Sequence, residues 1–349
     1  MEVGPRINNV APPREDVLSR SEGVSSAGEP LRLLVVTNMY PDAQNPDYGT
    51  FVQEQVEGIR ARGLHVDVLV VGGKRRKSSY VDGVRRFRRQ LREHHYDVIH
   101  AHYVFSGVVA RLQRWHPLVV SFHGAAEMVG WVGLLCKLLA PLADAVTVTS
   151  EGHKAQLGRT DAYVIPCGVD LDLFRPMPQD KARGQLGLLA AKKLVLFVGI
   201  ARPEKRLDVI EAAVDILRRE EPQAELVKAT GQPHDRIPLY MNACDALALA
   251  SDYEGSPVVI KEAMACNLPI VSVDVGDVAQ VIRGTDGCYI CRREPEDMAQ
   301  KLAAVLAAPR RTDGRRAVQG LGLDATVQGM LRLYDDLLRR STNGGSSAD

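Results

Sequence analysis

The sequence predicts an α/β protein made of two doubly wound domains, each with a parallel β-sheet at its centre. The chain has 349 residues, more than one hydrophobic core usually serves. Short Val, Leu and Ile runs alternate with longer helical patterns, as in βαβ units, and this alternation breaks near residues 168–178 and then restarts. Ligands of such sheets bind beyond the carboxyl ends of the strands, so we expect the site in a cleft between the domains.

The boundaries follow from where the apolar runs lie. Residues 1–30 are rich in Pro, Ser, Gly and charge and are expected to be a disordered leader. The first domain, residues 31–172, has the predicted strands LRLLVV, HVDVLVV, DVIH, LVVSF and DAVTVTS and a helix over 49–62. The second, residues 173–325, has KLVLFVG, AELVKA, DALALA, PIVSVDV and GCYICR, with helices from Leu207, Pro257 and Pro295. Residues 326–349 are expected to form a helix that packs back on the first domain, followed by a disordered tail.

Composition excludes several classes of protein. The net charge of +1 favours neither nucleic acid nor an acidic substrate as a partner. The six cysteines lie scattered in apolar stretches, as expected for reduced thiols in the cytoplasm. No signal peptide is recognisable, and Lys137, Pro141 and Asp144 interrupt the longest apolar run, so a helix and a buried strand explain it better than a membrane span.

Residues 74–92 contain nine Lys or Arg residues and one acid, Asp82. Two interpretations stay open, a solvated face and a surface that binds anionic membrane lipids. Nucleic acid is disfavoured because aromatic residues are nearly absent from the stretch. The expected location is cytoplasmic. Peripheral attachment at the inner face of the cell membrane, through this basic stretch, is the alternative.

The segment from Asp252 to Pro269 is the most informative for chemistry. Ser256 is predicted as the N-cap of a short helix and Pro257 as its first residue, while Asn267 ends it. Free backbone N–H groups at a helix N-terminus bind anions such as a diphosphate. Glu262 lies roughly 7–8 Å further along the axis, a plausible distance from a phosphate to a ribose. An ordinary capped helix with two surface glutamates explains the spacing equally well.

Several motifs together resemble the family 4 glycosyltransferases. Glu254 and Glu262 stand in that family's E-x7-E arrangement, and the resemblance covers about 300 residues from Leu31 onward. The other similar segments are TNMYPDAQNPDYGTFVQEQV, DVIHAHY, SFHG, VIPCGVDLDLF, FVGIARPEKRLD, IPLYMNACDALALASDYEGSP and CNLPIVSVDVGDV. The segment EGSPVVIKEAMACNLP is most similar to the branch that includes teichuronic-acid-type and other cell-surface polysaccharide transferases. The resemblance implies the GT-B fold, with two facing Rossmann-like domains.

The resemblance also implies roles in binding a nucleotide sugar. Glu262 would hold the ribose hydroxyls and Glu254 the donor sugar, and the turn Gly255-Ser256-Pro257 would lie against sugar and phosphate. Gly49 opens the first helix, where a turn without a side chain lets phosphate or acceptor approach. A simple helix start explains Gly49 equally well.

The implied catalytic residues are His123, Lys205, Arg202 and Glu254. His123 in the segment SFHG would reach the donor sugar near the reacting centre, and Lys205 would bind the diphosphate. The family pattern has an arginine directly after the glycine of this strand, but Ile200 follows Gly199 here. Arg202 is the nearest replacement, with Arg206 beyond it. His100 and His102, in IHAHY, are expected to face opposite sides of their strand, with at least one of them structural.

No metal or other cofactor is expected. The acids Asp170 and Asp172 resemble a metal-binding DxD, but they follow IPCGV at the predicted interdomain joint and fit a structural turn better. The pair Cys288 and Cys291 lacks a second pair of ligands at zinc spacing.

The resulting hypothesis is a retaining glycosyltransferase. It would move a hexose from a UDP or GDP sugar to a glycan, a lipid-linked acceptor or a small molecule. The missing arginine and the compressed stretch AELVKATGQPHDRIP leave two alternatives, a non-catalytic protein that binds sugar nucleotides and a GT-B sugar-nucleotide epimerase.

Overall fold

The computed structural model describes residues 30–45, 48–72, 79–307 and 310–344. They form two α/β units, each with a parallel sheet between helices. The first sheet has six strands, in the order 2-1-3-4-5-6 when numbered along the chain, and the second has five, in the order 5-4-3-1-2 when numbered in the same way. Both sheets are parallel throughout. The prediction of two doubly wound domains is confirmed.

The elements of the first unit follow the apolar runs of the sequence. Its strands are β1 (Arg32–Thr37), β2 (His65–Val70), β3 (Val98–His102), β4 (Leu118–Phe122), β5 (Ala145–Val148) and β6 (Tyr163–Val164). Its helices are α1 (Thr50–Ala61), α2 (Ser79–Glu93), α3 (Val104–Ala110), α4 (Gly130–Leu139) and α5 (Glu151–Leu157). The inner strands β3, β4 and β5 are wholly buried and β1 nearly so, which is why they read as continuous apolar runs, whereas the edge strands β2 and β6 are only partly buried.

The second unit is built in the same way. Its strands are β7 (Lys193–Val198), β8 (Ala224–Ala229), β9 (Ala246–Leu249), β10 (Ile270–Val273) and β11 (Cys288–Cys291). Its helices are α6 (Gln179–Leu186), α7 (Leu207–Leu217), α8 (Ile237–Ala243), α9 (Val258–Ala265), α10 (Val278–Val281), α11 (Pro295–Ala307) and α12 (Gly314–Ala317). The last helix of the chain is α13 (Leu323–Gly344).

Helices cover both faces of the first sheet. On one face α2, α3 and α4 contribute Phe87, Val104 and Cys136 to a core with the strands. On the other face α1 packs with α13, whose fully buried Tyr334 belongs to the same core as the strand residues of that face. The chain therefore returns from the second unit to complete the core of the first.

The chain passes between the two units twice, and the two connecting segments are hydrogen-bonded to each other. Val169 donates its N–H to the carbonyl of Leu321 and accepts from the N–H of Leu323, at 3.1 and 2.9 Å. Gly168 fits there because a Cβ would lie 2.6 Å from the Cα of Leu323. This pairing fixes the joint at the base of the cleft.

The basic stretch of the sequence falls partly on α2. Lys74, Arg75, Arg76 and Lys77 lie outside the described residues. The arginines of α2 are exposed while Phe87 is fully buried, so this helix is amphipathic. In the part of the chain that the structure describes, no helix combines the length and the apolar character needed to cross a membrane.

Candidate active site

The candidate site is a cleft of about 300 Å³ between the two units, beyond the carboxyl ends of their strands. The first unit contributes residues from the start of α1, and the second contributes the loops after β7, β8 and β9 together with α9. The lining residues are Thr50, Phe51, Glu54, Val198, Gly199, Ile200, Arg202, Lys205, Ala229, Gly231, Gln232, His234, Ile237, Glu254, Pro257, Val258, Val259 and Glu262. The cleft thus brings Arg202, Lys205, Glu254, Pro257 and Glu262 together.

The segment Gly255-Ser256-Pro257, which we call the donor loop because the family resemblance implies that it contacts the donor, leads into α9 one residue later than predicted. Pro257 is the N-cap, and Ser256 makes no capping hydrogen bond. The Ser256 hydroxyl instead contacts the Asp277 carboxylate and the Lys261 ammonium, so it is not available to cap the helix. Asn267 follows the helix with a φ of 56°, as expected for a residue that ends it.

The donor loop lies directly against the first unit. A Cβ at Gly255 would be 2.3 Å from Cε1 of His153 and 2.6 Å from the carbonyl oxygen of His123. On the other side, a Cβ at Gly276 would lie 2.5 Å from the carbonyl oxygen of Gly255. Glycine is therefore required at position 255 because backbone and ring atoms of the first unit leave no room for a side chain, and Gly276 allows the loop backbone to approach closely from the other side.

Lys261 joins this loop to the interdomain joint. Its side chain is fully buried, and the ammonium donates to the Cys167 carbonyl at 2.6 Å and to the Ser256 hydroxyl at 2.7 Å. Burial lowers the pKa of Lys261, while the nearby Cys167 and Asp277 act in the opposite direction. Lys261 was not recognised in the sequence, although its position directly after the apolar run Val258-Val259-Ile260 was a signal that it is buried.

Lys205 and Glu254 form an ion pair inside the cleft. The Lys205 ammonium lies 2.5 Å from Oε1 of Glu254, and both side chains are largely shielded from solvent. A cation and a carboxylate in contact can bind neighbouring parts of one ligand, an anionic group and a hydroxyl group respectively.

The structure distinguishes the two candidate arginines. Arg202 lines the cleft, and its nearest acidic partner is Glu204 at 3.9 Å. Arg206 does not line the cleft, and its guanidinium makes two hydrogen bonds to Asp208, at 3.0 and 3.1 Å. Arg206 is thus held at the start of α7, and Arg202 is the arginine placed for an anion in the cleft.

His234 connects the two units across the cleft. Its Nε2 lies 2.8 Å from Oε1 of Glu262 on α9, and its Nδ1 lies 3.1 Å from Oε1 of Glu54 on α1. Burial would lower the pKa of His234, but the hydrogen bonds and charges of the two glutamates outweigh it and raise the pKa to about 10. Burial also raises the pKa of Glu54, while His234 opposes that shift. The protonated ring of His234 is therefore hydrogen-bonded to Glu262, the carboxylate that was expected to bind the ribose.

His234 and Glu54 were not recognised in the sequence. The compressed stretch after β8 carries His234 into the cleft through a 3-10 turn over His234–Arg236, directly before α8. Glu54 lies on the first turn and a half of α1, next to the predicted glycine turn. The only sequence signal for this contact was the shortened loop after β8. This loop brings His234 close to α9, the helix that carries Glu262.

His123 lies beneath the donor loop rather than on the cleft wall. Its Nε2 is 2.8 Å from Nδ1 of His102, and its Nδ1 is 3.7 Å from the Cys167 sulfur. Burial, reinforced by the neighbouring histidines, lowers its pKa well below the usual value, so the ring is neutral. Its ring also packs on Phe51, with centroids 4.9 Å apart.

The expectation that His100 and His102 face opposite sides of β3 is wrong. Residues two apart on a strand share a face, and the two rings stack with centroids 4.3 Å apart. His100 binds the hydroxyls of Ser121 and Tyr334, both at 2.6 Å, and is structural.

Two further predicted positions have local structural roles. Gly49 is the N-cap of α1 with a φ of 83°, and a Cβ there would lie 2.6 Å from the carbonyl carbon of Met39. It does not line the cleft, although Thr50 does. Asp170 accepts the backbone N–H groups of Asp172 and Leu173, both at 2.9 Å, and so closes a turn at the joint.

The His234 bridge predicts a pH-dependent stability. A histidine whose pKa is raised on folding stabilises the protein fully below its unfolded pKa of about 6.5, and that stabilisation is lost as pH rises towards 10. We expect His234→Gln to lower Tm most near pH 6 to 7 and progressively less towards pH 10, measured by differential scanning fluorimetry. His65→Gln, at an exposed strand position, is the control. A Tm difference that stays constant or grows with pH would show that His234 is not a charged bridge.

Comparison with known families assigns the chain to one of them. Residues 35–173 match the family described as Glycosyltransferase Family 4, and residues 215–308 match Glycosyl transferases group 1. The two matches fall on the first and second units respectively, and together they cover about two thirds of the chain.

Individual relatives agree with this assignment. D-inositol 3-phosphate glycosyltransferase from Nocardia farcinica is 29% identical over 316 residues, covering 73% of this chain and 69% of the relative. The protein of that name from Rhodococcus erythropolis is 27% identical over 332 residues, covering 78% and 75%.

Solved structures show the same fold. Sucrose-phosphate synthase from Thermosynechococcus elongatus superposes with a TM-score of 0.74 at 22% identity, covering 89% of this chain and all of that one. Anabaena HepE in complex with UDP and glucose has a TM-score of 0.64 at 18% identity, with 88% and 100% coverage. The chain belongs to the family 4, group 1 glycosyltransferases and is a glycosyltransferase of the GT-B fold.

Proposed function

We propose that the protein transfers a hexose from a nucleoside diphosphate sugar to an acceptor hydroxyl with retention of anomeric configuration. The observation that carries this proposal is the cleft itself. There the cations of Lys205 and Arg202, the carboxylates of Glu254 and Glu262 and the ring of Pro257 converge from one domain, facing α1 of the other. The cations suit a diphosphate, and the carboxylates suit the hydroxyl groups of a sugar and a ribose.

The donor lies along α9 in this proposal. Its diphosphate contacts Lys205 and Arg202, and its ribose hydroxyls reach Glu262. The sugar then lies near Glu254, in agreement with the contact between Glu254 and Lys205. Crystal structures of Anabaena HepE hold UDP and, in one case, UDP-glucose, which supports a uridine nucleotide as the first donor to test.

Donor binding requires His234 to release Glu262. Oε1 of Glu262 accepts from His234 at 2.8 Å, and the carboxylate is almost fully buried. The ribose hydroxyls take the place of the imidazole on that carboxylate, and His234 keeps its second contact with Glu54. The His234 bridge between Glu54 and Glu262 thus holds the two walls of the cleft together in a geometry that the nucleotide can enter.

The bond changes in the transfer balance without a further reactant. The acceptor oxygen bonds to the anomeric carbon as the bond from that carbon to the diphosphate oxygen breaks on the same face. The acceptor proton passes to the departing phosphate oxygen. Lys205 and Arg202 stabilise the negative charge that grows on the diphosphate. A front-face route is proposed because each glutamate lining the described cleft already has another role in this complex: Glu254 and Glu262 bind hydroxyls of the donor, and Glu54 stays bound to His234.

The acceptor side is the wall of the first domain. Phe51 lines the cleft, and its ring contacts those of Tyr103 and His123, with centroids 6.3 and 4.9 Å apart. Aromatic surfaces of this kind suit the apolar faces of sugar rings. The acceptor we propose is a hydroxyl of a glycan, a lipid-linked molecule or a small molecule. The name of the inositol phosphate relatives supports a phosphorylated cyclic polyol as the first small molecule to test.

Turnover of a labelled donor separates this proposal from its two alternatives. A glycosyltransferase releases nucleoside diphosphate and forms a labelled product in proportion to acceptor. An epimerase converts the donor sugar without an acceptor, and a non-catalytic protein binds the donor without converting it.

The first functional prediction concerns Glu262. Glu262→Ala should weaken UDP binding at least tenfold by calorimetry, because it removes the acceptor of the ribose hydroxyls. Glu220→Ala, at an exposed position of the same domain, is the matched control and should leave Kd unchanged. Equal affinity of Glu262→Ala and wild type for UDP would remove Glu262 from the ribose site.

The second concerns the two arginines. Arg202→Ala should lower kcat at least roughly a hundredfold, about 2.7 kcal/mol, with a smaller effect on donor binding, because the additional charge develops mainly in the transition state. Arg206→Ala should change kcat much less, since Arg206 is bound to Asp208. Steady-state kinetics of both variants provide the test, and the reverse order of effects would contradict the assignment.

The third concerns metal independence. We propose that transfer needs no metal ion, because the two cations of the cleft supply the charge that a metal would otherwise provide. Activity should therefore survive excess EDTA. Loss of activity that magnesium or manganese restores would contradict this proposal and direct attention to Asp170 and Asp172.

A further inference from the structure

The layer of α2, α3 and α4, with the segments that join these helices to the strands, carries most of the exposed large apolar side chains of the described residues. Thirteen large hydrophobic side chains are exposed among the described residues, and nine of them lie between residues 81 and 142. These nine are Val81, Val108, Leu112, Trp115, Val129, Trp131, Leu134, Leu138 and Leu142. We call the exposed side chains of residues 79–142 the helix-layer face. Such a concentration on one side of a protein marks an interaction surface.

Helix α4 shows that the exposure is a property of one side of the helix. Trp131, Leu134 and Leu138 are 69%, 60% and 59% exposed, and their spacing of three and four residues places them together. Cys136 and Leu139 of the same helix are buried against the sheet. The helix is thus apolar on both sides, and its outer side contacts no other part of the described chain closely enough to be covered.

Aromatic contacts make the three helices one continuous surface. The ring of Phe105 on α3 lies 6.1 Å from that of Tyr80 on α2 and 5.8 Å from that of Trp131 on α4. Trp131 is therefore held in place at its base while most of its indole remains exposed. The apolar side of α4 and the basic side of α2 belong to the same layer.

The charge of this layer is strongly positive. Residues 79–143 contain eight Lys or Arg side chains and four Asp or Glu side chains, whereas the whole chain is nearly balanced at 44 and 43. Asp82 and Glu93 are paired with arginines of α2, and Glu127 accepts the backbone N–H groups of Val104, after β3, and His123, after β4. The arginines at positions 85, 88 and 92 are exposed and lie one turn apart along α2.

We propose that the helix-layer face docks on the surface of an anionic lipid bilayer. Indole and leucine side chains enter the boundary between headgroups and acyl chains, while arginines contact the negative headgroups. A second copy of the chain is disfavoured because two positive faces would meet. Nucleic acid is disfavoured because it offers nothing to the leucines of α4.

Docking in this way places the catalytic cleft beside the lipid surface. Helix α4 begins at Gly130, seven residues after His123 at the carboxyl end of β4. Val129 and Trp131 are therefore at the end of the layer that is nearest the cleft, and an acceptor held at the membrane could enter without leaving it. Docking of the helix-layer face on lipid does not depend on which sugar or acceptor the enzyme uses.

The chain supplies its own reporter for the test. Its two tryptophans, Trp115 and Trp131, are 71% and 69% exposed and both lie on the helix-layer face. Trp115→Phe leaves Trp131 as the single fluorophore. We expect its emission to shift to shorter wavelength with phosphatidylglycerol and phosphatidylcholine mixed vesicles, and to shift little with pure phosphatidylcholine vesicles.

Vesicle co-sedimentation of the full chain measures the binding. Leu134→Ser with Leu138→Ser, and separately Arg85→Gln with Arg88→Gln and Arg92→Gln, should each weaken binding to the mixed vesicles at least tenfold, and wild-type binding should fall with salt. The matched controls are Leu189→Ser, at a 66% exposed position of the second domain, and the triple variant Arg219→Gln, Arg283→Gln and Arg316→Gln. Both controls should bind as wild type does.

Three results would overturn the proposal. One is equal binding to neutral and anionic vesicles, or binding to neither. Another is wild-type binding by the leucine or arginine variants with their Tm unchanged. The third is a concentration-dependent dimer that the two leucine substitutions abolish without any vesicle binding, which would assign the face to a second copy of the chain.

Discussion

The contact of the donor loop with the first domain is the constraint on which the geometry of the cleft depends. Gly255 can approach His123 and His153 only because it has no side chain. The buried ammonium of Lys261 then ties Ser256 to the carbonyl of Cys167 at the joint. A buried charge is costly unless it is fully hydrogen-bonded. This arrangement is therefore stable only while loop and joint remain together, and Lys261 acts as a positioning residue for the donor loop.

The cleft is organised by ion pairs that a nucleotide sugar can replace. Lys205 is paired with Glu254, and His234 is shared between Glu54 and Glu262. Without these partners, three carboxylates would repel one another in a poorly solvated space. In the proposed complex, the donor supplies a diphosphate to Lys205 and hydroxyl groups to Glu254 and Glu262. On this proposal the same charged groups stabilise the cleft and bind the substrate, and the contact of His234 with Glu54 on α1 connects donor binding to the position of the first domain.

Much of the fold could be predicted from the sequence, because buried parallel strands give continuous apolar runs. The bounds of α9 could be predicted because Pro257 and Asn267 mark its two ends. The E-x7-E pair and Lys205 could be placed because their motifs fix both spacing and element. His234 and Glu54 could not be placed, since their meeting depends on how the two domains face each other. The exposure of Trp131, Leu134 and Leu138 was also hidden, because an apolar helix gives the same pattern whether or not its outer side is covered.

The most direct test of the account is a crystal structure of the protein with a non-hydrolysable UDP-sugar analogue. We expect the diphosphate to contact the side chains of Lys205 and Arg202 and the ribose hydroxyls to bind Glu262. His234 should have moved away from Glu262 and remained near Glu54. A nucleotide bound elsewhere, or bound in the cleft while His234 still holds Glu262 and the ribose lies away from it, would contradict the account.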